Sequence, residues 1–393
     1  MTAARDESLD MKGARERFED STDFTCAVEE EFAILDPASL ELAHGFAELR
    51  EAAQADPLLA DSVRGELIDT EIEIRSGRSE SFAELAERQC EHRRLLFALA
   101  ADHGYALGST GTHPWARYLD QRIIDTDHYD RLHRELRYVA RRNNTWSLHV
   151  HVGIRGADRA IAICDGLRNH LPTLLALSAS SPFLDGRDTG LASVRSQIFT
   201  RSFPRCGIHQ PFGDWETYAS FIDLLQRTGS VVESTQLWWS VRPHHAFGTV
   251  EVRICDAQSG GGESLELAGL LIACVVQAAM DYDDGRLASP LPAREIEENL
   301  WRAIRYGLDG RMIDFDRGEE IETVRAVEDL AAWTGPARGA VGIGDPPSGP
   351  NGTQRTRTAI AEGQPIREVY AASVELTRDT FGGVEAGKVA SEG

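Results

Sequence analysis

Glutamate, histidine and arginine recur at every second position in four short stretches, and this spacing could support chemistry. Glu29 and Glu31 flank Glu30. Asp69, Glu71, Glu73 and Arg75 alternate with Thr70, Ile72 and Ile74. His149 and His151 flank Val150, and Glu251, Arg253 and Cys255 alternate with Val252 and Ile254. Residues two apart share a face of a β-strand. The intervening positions are mostly apolar: Val28, Phe32 and Ile34, then Ile68, Ile72 and Ile74, then Leu148, Val150, Val152 and Ile154, then Val250, Val252 and Ile254. Each stretch therefore predicts a strand with one greasy and one ionic face. Glu30 falls on the greasy side, which calls for a bulge or a strand edge. Carboxylates crowded on one surface stay ionised only where cations compensate them. Glu oxygens suit Mg²⁺ or Mn²⁺, and an imidazole among them extends tolerance toward Mn²⁺. An antiparallel sheet with one face in water gives the same alternation. The lack of Lys in all four runs and the paired histidines favour a metal-binding face. His-x-His with carboxylates also suits a zinc or di-metal hydrolase.

The elements that would position these groups are mixed. Helical periodicity runs through 79–103, 127–142, 158–179, 214–227 and 263–284, the last apolar enough to be buried. Strand patterns occupy 24–35, 67–75, 147–154 and 248–255, some without a crossover helix between them. This predicts an α+β fold with a largely antiparallel sheet and helices on its outer face. Residues 1–22 are polar and predict a mobile tail. Residues 23–382 are expected to form a single domain carrying the candidate catalytic groups, and 383–393 a second tail. The Gly- and Pro-rich stretch 335–364 reads as a flexible loop, a lid or a disordered segment. Neither GxGxxG nor GxxxxGK[ST] occurs, which removes the familiar phosphate loops.

The chain has 393 residues, 42% of them hydrophobic, enough for a substantial core. With 63 acids against 41 bases the net charge is −22. Such a surface repels phosphate backbones and anionic lipid, so nucleic acid and membrane are poor partners. An anionic nucleotide would need local positive charge. No apolar run reads as approaching the ~20 residues of a bilayer span. The N-terminus lacks the apolar core of a secretory signal. Six scattered cysteines without a CxxC pair fit a reducing, cytoplasmic setting. Oligomeric state is open, symmetric homodimers being common among large sheet enzymes.

The segment Phe24-Thr25-Cys26-Ala27-Val28-Glu29-Glu30-Glu31-Phe32 resembles the opening strand of glutamate–cysteine ligases of the second type, carboxylate–amine ligases with the catalytic fold of glutamine synthetase. Glu66 to Gly77 resembles the second acidic element of that family, and Leu148 to Ile154 its histidine strand. Arg242-Pro243-His244 followed by Gly248 to Asp256 resembles its closing signature. Gly111 to Pro114 and Arg195 to Phe199 are smaller matches. Cys26, where Gly is common, and Asn143 to Ser147 depart from the pattern.

The resemblance implies ATP and Mg²⁺ (or Mn²⁺) as cofactors, and amino acid and amine substrates. It implies Glu29, Glu31, Glu66, Glu73, His149 and Glu251 as metal ligands. Arg253 would meet the transferred phosphoryl group. Arg242 would lie near the nucleotide phosphates or an acyl phosphate, and His151 and Arg195 would contact substrate or nucleotide. The implied reaction activates the γ-carboxylate of glutamate as an acyl phosphate and couples it to an amine such as cysteine. A metal-dependent hydrolase and a non-catalytic nucleotide-binding homologue are the alternatives. Glu outnumbering His, with two arginines at the closing signature, favours phosphates over a lone activated water.

Overall fold

The computed structural model describes residues 9–382. Its centre is a seven-stranded sheet made of β1 (Cys26–Leu35), β2 (Val63–Arg64), β3 (Glu71–Arg75), β4 (Ala106–Gly108), β5 (Ser147–Gly153), β6 (Val241–His244) and β7 (Thr249–Asp256). The spatial order is β6-β7-β5-β1-β3-β2, with β4 also pairing with β1. Every pairing in this sheet is antiparallel. The expected α+β class is therefore the observed one.

Alternation decides which face is covered. Val150, Val250 and Val252 join Ile161, Leu174, Leu271 and Val275 in the main core. These partners come from helices Ala157–Leu167, Leu171–Ser178 and Gly261–Asp283. Phe32, Ile72 and Ile74 join Leu96, Phe97 and Phe381 in a second cluster, under helices Phe82–Asp102 and Ile366–Gly382. Contrary to the sequence expectation, Gly261–Asp283 is long and apolar enough to cross a bilayer by length and composition. It is nonetheless 78% buried inside this fold over its apolar window.

Several boundaries differ from the sequence reading. The supposed tail contains a helix, Met11–Glu19, capped by the Asp10 side chain, with Met11, Ala14 and Phe18 buried. It is short but amphipathic, and packing stabilises it. Arg17 Nε donates to the His245 carbonyl at 2.6 Å, and Ser21 Oγ to that of Gly248 at 2.8 Å. Gly248, at φ +62°, passes so close that a Cβ there would lie 2.7 Å from the Arg17 carbonyl oxygen. Residues 1–8 and the expected tail at 383–393 lie outside the described residues.

The stretch 335–364 is not a flexible loop. Gly335–Val341 is helical, with Pro336 in its first turn, where a missing N–H costs nothing. Gly352–Ala361 is a second helix, opened by a reciprocal Asn351–Gln354 capping box. Thr353 Oγ1 ties the second helix to the Ala192 carbonyl at 2.6 Å. The helix expected over 127–142 divides at Arg137, whose φ is 50°. That over 158–179 passes through a 3₁₀ turn, Arg168–His170, just before Pro172.

Candidate active site

The polar face of the sheet is a ladder of ionic side chains. β1 pairs Glu29 with His149 of β5 on one side and Arg75 of β3 on the other. Glu31 faces Glu73 of β3. On the far side of β5, His151 faces Glu251 of β7, and Glu251 faces Arg242 of β6. Glu66 arrives from the loop before β3. The strand expected over 67–75 is regular only from Glu71, because Leu67–Thr70 is a turn held by an Ile68–Ile123 bridge. Asp69 therefore leaves the ionic face and meets His44 Nδ1 at 2.5 Å.

Glu30 needs neither a bulge nor an edge. β1 is an inner strand, and its pairing with β3 and β5 is regular through Glu30. Its carboxylate enters the greasy face because Arg93 waits there. Arg93 Nε donates at 2.5 Å and Arg93 Nη2 to the other oxygen, with Gln89 Nε2 at 2.6 Å and Ser264 Oγ also donating. Both charges are buried, so each depends on the other.

A bulge does occur in β7. The register against β5 shifts between Val252 and Cys255. Cys255 consequently joins Ile254 in the core rather than sharing a face with Glu251 and Arg253. Asp256 then comes opposite Ser147, on the side of the site.

The charges on this face separate into two groups. Burial pushes Glu251 up, but Arg242 and Arg253 outweigh it and hold its carboxyl well below the usual range. Arg242 Nε donates to Glu251 Oε2 at 2.6 Å, and Arg253 Nη1 to Glu251 Oε1. Burial likewise opposes Glu29, and Arg75 and His151 more than offset it. Arg75 Nε lies 3.1 Å from Glu29 and 2.5 Å from Glu73. The other acids lack enough compensation. Burial and repulsion from Glu73 raise Glu31 to about 7, and burial and repulsion from Glu31 raise Glu66 to about 7. Glu73, despite Arg75, is driven well above its ordinary value by burial, Glu29 and Glu66. Glu71 is raised well above its ordinary value by burial and by repulsion from Glu31, Glu66 and Glu73, and neither of its oxygens has a hydrogen-bond partner.

Around Glu31, Glu66, Glu71 and Glu73 positive charge is in short supply. Three donor sets each converge to within 4.8 Å: Glu29/His151/Glu251, Glu29/Glu73/His149 and Glu31/Glu66/Glu73. Burial and the nearby Arg253 lower His149 to about 3, so it is a neutral imidazole with a lone pair to offer. His151 Nδ1 is engaged by Thr249 Oγ1 at 3.1 Å, while its buried Nε2 has no hydrogen-bond partner. One ring nitrogen anchored and the other free is the usual arrangement of a ligating histidine. Glu73 Oε2, buried without a hydrogen-bond partner on a residue shared by two of these sets, adds to oxygen-rich donor sets that fit Mg²⁺ or Mn²⁺.

With this geometry established, similarity to known proteins decides the family. The family model for glutamate–cysteine ligase family 2 matches residues 25–341. The chain belongs to that family. A Rubrobacter xylanophilus protein provisionally named glutamate–cysteine ligase 2-2 is 39% identical over 307 residues, covering 78% of this chain and 79% of that protein. A Sorangium cellulosum protein provisionally named glutamate–cysteine ligase 2 is 38% identical over 307 residues, covering 78% and 82%. The crystal structure of glutamate–cysteine ligase from Francisella tularensis in complex with AMP has the same fold. Its TM-score is 0.63 at 12% identity, over 93% of this chain and 90% of that one. A bifunctional glutathione synthetase from Pasteurella multocida gives a TM-score of 0.65 at 12% identity, over 94% of this chain and 54% of that longer one. Family membership makes this chain a ligase that forms carbon–nitrogen bonds.

Within this ligase, all six acids and imidazoles expected to bind metal fall within the three donor sets. His151, expected at substrate, belongs there too. Glu71, Arg75 and Asp256 were missed as site residues. Glu71 and Arg75 lie on the ionic side of the second stretch, so alternation alone could have drawn them in. Arg195 is buried, and its guanidinium contacts backbone carbonyls and Asp256.

Proposed function

We propose that this ligase uses ATP to activate a carboxylate, the γ-carboxylate of glutamate, and couples it to a small amine such as cysteine. One observation carries this reading. Three metal-capable donor sets share a single sheet face with Arg242 and Arg253. That combination suits triphosphate better than it suits a lone hydrolytic water.

A carboxylate does not condense with an amine in water, because its oxygen is a poor leaving group. In the proposed first step a carboxylate oxygen attacks the γ-phosphorus of ATP, the bond to the β-bridging oxygen breaks, and ADP leaves. The amine nitrogen then attacks the acyl carbon, the carbon–oxygen bond to phosphate breaks, and the amine loses a proton. Mg²⁺ or Mn²⁺ bound by Glu29, Glu31, Glu66, Glu73, His149, His151 and Glu251 would neutralise phosphate charge. Arg253 would hold the moving phosphoryl through a planar fork that Lys cannot copy. Arg242 braces Glu251 and adds positive potential beside it. The −22 chain would thus present a locally cationic hollow to an anionic nucleotide.

The test follows ADP release with ATP, Mg²⁺, glutamate and a panel of amines. Release that depends on the amine is expected. Glu251→Gln and Arg253→Ala should each lower turnover by about 10²-fold or more while leaving the fold intact. Release independent of any amine, or full activity in both variants, contradicts the reading. Hydrolysis without ATP would point to the hydrolase instead.

A further inference from the structure

The bulge in β7 is strapped by Arg195. Arg195 Nη1 donates to the Ile254 carbonyl at 3.0 Å, and Arg195 Nη2 to the Arg253 carbonyl at 3.2 Å. These two residues lie inside the register slip against β5, which falls between Val252 and Cys255. Arg195 Nη1 also lies 3.4 Å from Asp256 Oδ1. Asp256 is fully buried and accepts from Ser180 N at 2.9 Å, Ser181 Oγ at 2.6 Å and Ser193 Oγ at 2.8 Å. Ser193 is the N-cap of helix Val194–Ser202, the helix that carries Arg195. The contacts close into a ring: Asp256 to the cap, the cap's helix to Arg195, and Arg195 back to the strand at Arg253. The segment holding Gly111 presses on this ring. A Cβ at Gly111 would lie 2.8 Å from the Asp256 carboxylate, which explains a glycine in Gly111-Thr112-His113-Pro114.

We infer that Asp256 and Arg195 are positioning residues that fix the bulge and thereby aim the Arg253 guanidinium, and that neither touches substrate. A bulge leaves one residue outside the regular ladder, so its backbone direction needs another source of definition. Two carbonyl contacts from one rigid fork supply it. Arg195, with 4% of its surface exposed, has little left to offer a ligand. The inference rests on the proposed role of Arg253 in meeting phosphate.

A double-mutant cycle tests it. The dissociation constant of a non-hydrolysable ATP analogue with Mg²⁺ is measured for wild type, Asp256→Asn, Arg253→Met and the pair. Mn²⁺ binding and melting temperature report the fold. The first two variants should each weaken analogue binding about tenfold, the scale of one charged hydrogen bond. The pair should be no weaker than Arg253→Met alone, because Asp256 acts through that side chain. An additive loss in the pair, or unchanged binding in Asp256→Asn, overturns the inference. Unchanged binding in Arg253→Met overturns the role of Arg253 as well, which separates the two failures. Should Asp256→Asn not fold, Ser193→Ala, which removes one hydrogen bond to the same carboxylate, is read in the same way.

Discussion

Glu30 and Glu31 adjoin in sequence and differ in everything that surrounds them. Glu31 faces the acid cluster, where Ser147 donates from its backbone N–H at 2.5 Å and from its hydroxyl at 2.7 Å. Glu30 faces the core and is neutralised by Arg93. Removing one partner of a buried pair strands the other charge, so Arg93→Ala should cost about 3–5 kcal/mol, whereas replacing both partners by apolar residues of similar volume should cost far less. Urea denaturation of Arg93→Ala and of Glu30→Leu/Arg93→Met measures this, and equal losses would refute the pairing argument. The sequence could not expose this pair, because its halves are 63 residues apart. The lack of Lys in the four acidic runs proved uninformative, since Lys12 and Lys388 are the only lysines in the chain. Glu71 was legible by position, yet its environment depends on Glu31 and Glu66, which arrive from other segments.

At the scale of elements, alternation located four of the seven strands and their polar sides, because period two survives wherever one face is buried. It failed where the backbone departs from that period. The β7 bulge sends Cys255 inward, and the turn at Leu67–Thr70 removes Asp69. Short strands such as β4 and β6 have too few residues to display a period. Composition misled at both ends of the chain. Residues 335–364 are rich in Gly and Pro, yet those residues lie at helix starts and connections rather than in a disordered loop. The helix Met11–Glu19 is mostly polar, but Phe18 is completely buried and packs on Trp215 with ring centroids 5.5 Å apart. Phe18→Ala should therefore destabilise the protein by about 3–5 kcal/mol. A loss under about 0.5 kcal/mol in denaturant melts would mean the helix is only loosely attached.

For the whole molecule the central problem is electrostatic. The acid face lies inside a chain of net charge −22, and only part of it has arginine partners. Glu31 and Glu66 are raised from 4.5 to about 7 in the fold. Between those values the folded chain keeps protons that the unfolded chain has released. The stability they contribute is complete below about pH 4.5 and is lost as pH rises through about 7. Saturating Mg²⁺ should accordingly raise the melting temperature more at about pH 8 than at about pH 5, adding a positive slope to the pH profile measured in EDTA, because protons compete with the cation for these carboxylates. A slope unchanged by Mg²⁺ would separate these carboxylates from any cation.

The most direct measurement is a titration of the metal-free protein with Mn²⁺ near pH 7, following both binding and proton release. The account predicts saturable binding that releases protons, because cations displace them from Glu31, Glu66 and their neighbours. Glu73→Gln, which removes a ligand common to two donor sets, should bind at least about tenfold more weakly. Absence of saturable binding to the wild type, or undiminished binding to Glu73→Gln, would contradict it.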